Sequence, residues 1–365
     1  MRIAVIGAGI GGLTAAAAFT RRGHQVDVLE RASEIREVGA GISLWPNALA
    51  ALDVIGAGER VREQGLLVAD AGIRASNGRW LSRVDVAEFE RRIGSLVVIY
   101  RPLLLDILRE AAELADVHLG VEVRGVTTDG VVTHSGGTTR ADLVVGADGI
   151  RSIVRGSVWR EAAAPKYAGY AAWRMVTEPI SLDNGGETWG AGRRFGFAPL
   201  PDGRVYCFPV VNTPAGRAHG GLGEIRRLFG DWHAPIPALL DATRPDAVMY
   251  HDIYELPDLA TYARGRVALL GDAAHAMTPN SGQGAGQAME DAVVLAETVT
   301  AGKGLEEYDA LRRERTQRIT KQAHRIGAVA KWSSPVAVGA RNALLRATPS
   351  STVMKSLEPV VGWRP

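Results

Sequence analysis

One stretch near the N-terminus limits what this chain can fold into more than any other. Residues 3–6, Ile-Ala-Val-Ile, form an apolar run without a turn former, as suits a strand buried in a parallel sheet. Gly7, Ala8, Gly9, Ile10, Gly11 and Gly12 follow at once, and residues 13–19 are Ala-rich and predict a helix. A G-x-G-x-x-G between a strand and a helix is the context of a dinucleotide fingerprint. Gly7 permits the tight turn, Gly9 lets the backbone approach a pyrophosphate, and Gly12 lets helix and strand pack closely. The free N–H groups and the positive end of the helix dipole favour phosphate charge. Residues 25–29 predict a second strand ending at Glu30, about 20 residues on, where a carboxylate accepts hydrogen bonds from an adenosine ribose. The fingerprint alone leaves NAD and FAD both open.

The chain has 365 residues, enough for two domains or one large one, with 46% apolar and 22% charged residues. A formal net charge of +2 suggests neither nucleic acid nor an anionic membrane as partner. Cys207 is the single cysteine, which excludes a disulfide framework and a thiolate metal site, and no metal site is expected. The fingerprint begins too early for a signal peptide, and no apolar run reaches the ~20 residues of a membrane span, so the expected location is the cytoplasm.

Further along, residues 38–47, VGAGISLWPN, form a Gly-rich loop leading to a helix near Pro46. The loop is either an ordinary connection or part of a ligand crevice. Residues 66–81 read as sheet with a turn at 76–78. Arg101 stands just before a helix predicted over 103–114, as a solvated charge or a ligand donor. Residues 117–126 and 131–134 read as strands flanking an Asp129-Gly130 turn. Residues 143–145 are a buried strand ending in an acidic turn at Asp148-Gly149. From about residue 165 aromatics concentrate and short strands replace the strand-helix rhythm, which predicts an antiparallel sheet. Arg194 and Tyr206 fall on candidate strands 194–198 and 204–210. Residues 266–270 return to a buried strand ending at Gly271-Asp272, and a Gly-rich loop leads into helices at 287–300 and 305–330.

Three strand-end sites, at residues 7–12, 148 and 272, would share one carboxyl edge in a parallel sheet, where α/β folds bind ligands. A ligand reaching all three is long, which favours a whole FAD. There is no second fingerprint for a nicotinamide domain. The expected organisation is an FAD-binding domain from 1–164 and 258–330, an antiparallel substrate-binding domain at 165–257, and a helical tail at 331–365.

With these motifs the chain resembles the single-component FAD-dependent aromatic hydroxylases, the group A flavoprotein monooxygenases of the p-hydroxybenzoate hydroxylase fold. The family's fingerprint, internal Asp-Gly and late Gly-Asp motifs correspond to 7–12, Asp148-Gly149 and Gly271-Asp272, the last extending as GDAAHAMTPNSGQGAGQAMEDA. Within the family the likeness is greatest to urate, salicylate and hydroxynicotinate hydroxylases. It implies a mixed α/β fold: a Rossmann-like FAD domain with a parallel sheet, and an antiparallel substrate domain. It also implies that Glu30, with Arg31 beside it, holds the adenosine ribose, and that Val123 offers backbone to the adenine. Arg101 and Asp272 would contact the flavin side chain and phosphates, Asp148 would serve FAD and NAD(P)H, and Gly284 and Ala285 would face the flavin pyrimidine edge.

By the same likeness Arg194 and Tyr206 contact a small aromatic substrate. Asn280 stands where the urate enzymes carry Asp, which speaks against urate because a neutral amide is no base. The implied reaction takes hydride from NADH or NADPH, adds O2 at flavin C4a, and transfers oxygen from the hydroperoxide to an electron-rich aromatic or heteroaromatic ring. Alternatives are a flavin reductase or dehydrogenase on the same fold, a flavin-binding sensor without turnover, and an antibiotic-modifying monooxygenase. The chain is expected as a monomer or homodimer. His275 is read as structural.

Overall fold

A computed structural model describes residues 1–35, 40–67, 71–182 and 184–365. Val38 and Gly39 of the Gly-rich loop, and 68–70 of the predicted 66–81 sheet, lie outside the described residues.

The apolar runs assemble as expected. A six-stranded sheet places Arg2–Ile6 between Leu143–Gly146 and Gln25–Glu30, with Val267–Leu269 beyond the former and Asp116–Leu119 beyond the latter; Ala263–Arg264 forms the edge. The five main strands run parallel, so the turns after Ile6, Gly146 and Leu269 open on one edge. Such strands are buried on both faces and need no polar alternation. The fingerprint helix Ile10–Thr20 is buried almost all round. Its small residues let it approach the late helix Gly284–Thr300: a Cβ on Gly11 would sit 2.7 Å from Leu270 and 3.2 Å from the Ala288 methyl.

A seven-stranded sheet runs in the order Met249–Glu255, Lys166–Val176, Val205–Asn212, Arg193–Pro199, Gly186–Trp189, Ala71–Ala75, Trp80–Val84. Its outer face buries Trp173, Met175, Phe195, Phe197 and Cys207 under the helices Gly221–Phe229 and Ile236–Asp241. Tyr170, Ala172, Val210 and partly buried Phe208 lie together in a separate cluster with Ile253. Alternation therefore assigns the aromatics at 195 and 197 to an ordinary core and keeps Arg194 on the opposite face.

Several local expectations change. Residues 117–126 are not one strand: Gly120, at φ +71°, breaks the run, so that Asp116–Leu119 joins the parallel sheet and Val123–Val126 starts a separate meander. The helix after Tyr100 starts at Arg101 itself, because Pro102 is well placed in a first turn. The late helix starts at Gly284, three residues earlier than its apolar pattern suggests. Strands 71–75 and 80–84 come from far upstream of residue 165, yet they extend this sheet, the first of them joining Gly186–Trp189 in parallel, so the otherwise antiparallel sheet is mixed. The tail forms Pro335–Ala347 and Ser350–Val361. It packs back on this chain, where Met354, Val360 and Val361 join Phe89, Ile93 and Ile319. Among the described residues no helix is long and apolar enough to cross a membrane.

Candidate active site

The crevice starts at the fingerprint. Gly7 has φ +103°, and a Cβ there would lie 2.6 Å from the Ala147 carbonyl oxygen; one on Gly12 would collide with the Gly7 carbonyl. These two glycines serve the chain's own packing. A Cβ on Gly9 meets nothing within 4 Å, so this position faces open space at a helix start without a side-chain cap or an acidic residue in its first turn. Glu30 ties the loop down: its carboxylate accepts from the N–H groups of Ala8 (2.8 Å) and Ala32 (2.9 Å). The Val121 N–H donates to the Glu30 carbonyl at 2.9 Å, which brings Val123 close to this end of the sheet. Arg31 is exposed beside it.

At the next strand end, Asp148 is engaged locally. It accepts from the Ser152 hydroxyl (2.5 Å) and from the N–H groups of Ile153 (2.7 Å) and Val154 (3.1 Å). Burial raises its carboxyl above the ordinary value, against the lowering effect of these bonds. Buried Arg155, which the motif reading missed, donates to the carbonyls of Ile150 (2.5 Å) and Ala273 (2.8 Å) and so clamps the acidic turn to the late Gly-Asp loop.

Asp272 opens a short helix, Asp272–His275, and its side chain is exposed. Crowding by the surrounding protein raises its carboxyl, while His275, Arg101 and Arg174 pull it down. The exposure decides its availability to a ligand; the crowding shifts only its titration. His275 points elsewhere, into a buried pair with Asp291 at 2.6 Å. If Asp272 binds the cofactor, Asp272→Ala is expected to lower FAD affinity ten- to a hundred-fold, about 1.5–3 kcal/mol, without changing the melting temperature. Titration of the apoprotein with FAD reads this directly.

The helix from Gly284 also starts without a side-chain cap, and a Cβ on Gly284 meets nothing within 4 Å. Around this start the buried donors Gln283 Nε2, Ser281 Oγ and Trp45 Nε1 have no partner among the described residues. Open backbone at Gly9 and Gly284, a free carboxylate at 272 and orphaned donors near 283 fit a long, anionic, acceptor-rich group such as FAD.

Arg194 is 5% exposed and donates to Glu187 (3.1 Å) and to Asn280 Oδ1 (2.8 Å). Tyr170 donates to the same Asn280 oxygen at 3.3 Å. The Asn280 amide nitrogen donates to Thr278 Oγ1 (2.8 Å) and to the Ala323 carbonyl (3.0 Å). Gly327 makes room for it, since a Cβ there would collide with that amide. Asn280 thus holds Arg194 and has no free valence for proton transfer.

Tyr206 shares the face of Arg194, since Ala198 lies opposite it and Val210 lies opposite Arg194 in the same register. It packs over Gly41, whose Cβ would sit 2.7 Å from that of Tyr206. Burial pushes its phenol up, against Arg174 and Arg101, so it stays protonated near neutral pH. Glu187 was missed by sequence reasoning. The signal was available: pairing 186–189 with 193–197 as a hairpin puts 187 and 194 on one face, two residues apart along the ladder.

Comparison with known proteins shows the family. Residues 1–179 and 258–323 match the family model of the FAD binding domain. An aurachin C monooxygenase/isomerase of Stigmatella aurantiaca is 36% identical, covering 97% of this chain and 96% of the relative. A 2-heptyl-3-hydroxy-4(1H)-quinolone synthase of Pseudomonas aeruginosa is also 36% identical, covering 96% and 95%. The crystal structure of Klebsiella pneumoniae HpxO with FAD and uric acid superimposes with a TM-score of 0.90 at 30% identity, covering 98% of this chain and 95% of that one.

Proposed function

This chain belongs to the FAD-binding-domain family and is an FAD-dependent monooxygenase of aromatic rings, and on that premise we propose that its substrate is an uncharged, nitrogen-bearing bicyclic ring of the quinolone kind. The observation that carries this reading is the pairing of Arg194. Its charge is already matched by Glu187, and its other partner, Asn280, is neutral. An anionic ring such as a carboxylate or a urate would have to displace Glu187 or sit beside it. A ring carbonyl needs only a hydrogen bond from the guanidinium edge and leaves the ion pair intact.

The surroundings support the same reading. Ala172, Val210, Ile253 and the partly buried ring of Phe208 form an apolar patch beside Tyr170, and buried Trp189 stands opposite Arg194. Such a wall suits a lipophilic ring with an alkyl substituent and keeps water from the reacting carbon. A relative that shares 36% of its residues makes 2-heptyl-3-hydroxy-4(1H)-quinolone. When bound, FAD supplies the redox chemistry, taking electrons from NADH or NADPH and activating O2. The chain's part is to hold the ring still. Arg194 and the protonated Tyr206 hydroxyl donate to ring acceptors, Glu187 and Asn280 keep Arg194 in place, and Glu30, Arg101, Asp272, Gly284 and Ala285 hold the cofactor. The enzyme acts in the cytoplasm as a monomer or homodimer on this reading.

The test is a panel of 2-alkyl-4(1H)-quinolones, urate and salicylate, with dinucleotide oxidation and product masses followed together. A quinolone product heavier by one oxygen atom, formed in step with dinucleotide oxidation, is expected. Coupled urate or salicylate hydroxylation, with quinolones inert, would overturn the reading. In the same assay Arg194→Ala is expected to raise the substrate KM at least ten-fold and to divert more of the oxygen to peroxide, because the ring is no longer held within about 3–3.5 Å of the reacting atoms.

A further inference from the structure

A net charge of +2 conceals an uneven distribution. Between Glu314 and Glu358 the chain has no Asp or Glu over 43 residues but eight lysines and arginines, so the remainder is net acidic. Part of this charge is spent inside the fold. Arg315 joins Glu290, the Lys331 ammonium donates to the Ala168 carbonyl at 2.7 Å, and Arg341 is buried. Lys321 pairs with Asp258 at 2.7 Å. Arg318, Arg325, Arg346 and Lys355 are exposed, and among the described residues they make no hydrogen bond or ion pair. On the helix Leu305–Ala330, Arg318, Lys321, Arg325 and Ala328 recur at three- and four-residue steps, so they share one exposed side that leads to Trp332, 40% exposed. Arg318, Lys321 and Arg325 line one shallow groove, with Glu314 at its N-terminal end.

The next helix, Pro335–Ala347, turns an apolar face outward. At about 3.6 residues per turn, Val336, Gly339, Ala340, Ala343, Leu344 and Ala347 fall on one side, and all are exposed, Val336 at 85% and Leu344 at 65%. Arg346 is the one charged residue among the exposed positions of this helix. A surface helix ordinarily points such a face at the core. This one cannot, because buried Arg341 on the opposite side pins its rotation. The Arg341 guanidinium donates to the carbonyls of Gly190 (3.1 Å) and Ala330 (3.4 Å) and lies over the Trp189 ring at 5.5 Å. The apolar face therefore follows directly on the cationic row, with Trp332 at the junction.

We propose that the outer face of Pro335–Ala347, with Trp332 and the cations Arg318, Arg325 and Arg346, docks the protein on an anionic lipid bilayer. A helix with an apolar side, basic flanks and an aromatic residue at the border lies in the plane of the bilayer interface. Its apolar residues sit below the headgroups and its arginines among the phosphates. Charge selects this occupant over a second copy of the chain. A two-fold interface sets a surface against itself. Here it would set Arg346 and the row from Arg318 to Arg325 against their own copies, and residues 315–357 bring no carboxylate to pair them. Docking of this kind is independent of which ring the enzyme oxidises.

The test is sedimentation of the FAD-loaded enzyme with vesicles of phosphatidylglycerol and phosphatidylcholine in equal parts, and with vesicles of phosphatidylcholine alone. Binding to the anionic vesicles is expected, at least ten-fold tighter than to the neutral ones and weakened by added salt. Val336→Asp combined with Leu344→Asp is expected to weaken it at least ten-fold, and so is Arg318→Gln combined with Arg325→Gln, with FAD content and melting temperature at wild-type values in both. Absence of binding to anionic vesicles would overturn the proposal. So would equal binding to both kinds of vesicle, or full binding by either double variant. Sedimentation velocity without lipid reads the other occupant, and the same oligomeric state is expected for wild type and for Val336→Asp with Leu344→Asp. A wild-type dimer that this variant turns into a monomer would overturn the proposal and give the face to a second copy.

Discussion

Gly9→Val is expected to yield a folded protein that no longer holds FAD. The backbone at Gly9 is extended, at φ −76° and ψ −175°, so a β-branched residue is tolerated there, and a Cβ meets no protein atom within 4 Å. The loss of glycine at the start of the helix costs the fold about 1 kcal/mol. For a pyrophosphate resting on the free N–H groups of Ile10–Thr20, the same side chain fills the space the phosphates need. Affinity should drop by at least a hundred-fold, on the order of 3 kcal/mol. The purified variant should be colourless, with a melting temperature close to that of wild-type apoprotein. Gly12→Ala is the informative contrast: its methyl runs into the Gly7 carbonyl, so the fold fails before binding can be asked about. A yellow Gly9→Val protein with stoichiometric FAD would refute the placement of the phosphates.

Asp291→Asn should destabilise the protein by roughly 3–5 kcal/mol, the usual cost of breaking a fully buried ion pair from one side. Asp291 accepts from Arg312 Nε (2.7 Å), His275 Nε2 (2.6 Å) and the Gly271 N–H (2.9 Å). An amide in its place turns an N–H toward one of these donors and leaves Arg312 short of a counter-charge. Arg312 also pairs with Glu290 at 2.5 Å, and Arg315 joins Glu290 (2.8 Å) to the tail carbonyls of Pro359 (2.8 Å) and Val360 (2.7 Å). The network therefore spans the Gly-Asp loop, two long helices and the C-terminal helix.

The same residue sets an acid limit. Burial alone would raise its carboxyl, but the charges of His275 and Arg312, with the hydrogen bonds from His275 and Gly271, outweigh burial and hold it at about 2. A folded value below the unfolded one means stability that is complete above about pH 4 and is lost as pH falls toward 2. That part amounts to about 2 kcal/mol. Denaturant melts across pH should show the gap between wild type and Asp291→Asn narrowing below pH 4. A constant gap would show that Asp291 does not carry this acid sensitivity.

The sequence by itself determined what local sterics and pattern can dictate. The glycines at 7, 9 and 12, the buried runs at 3–6, 143–146 and 267–269, and the acids in the later turns place three strand-end loops on one sheet edge, because parallel strands share a direction. Alternation put Arg194 and Tyr206 on one face once their strands were read correctly, and Arg101 and Gly284 fell near helix starts that the pattern located within three residues. What only the tertiary structure decided depends on partners far apart in the chain. Glu187 cancels the charge of Arg194 through a hairpin register, and Asn280 is saturated by Tyr170, Thr278 and Ala323 from three separate elements. Arg155 clamps one strand-end motif to another. A charged side chain reads the same in sequence whether it is solvated, paired or waiting for a ligand. Only the neighbours brought by folding distinguish the three, because its free energy is set by the dielectric and the counter-charge around it.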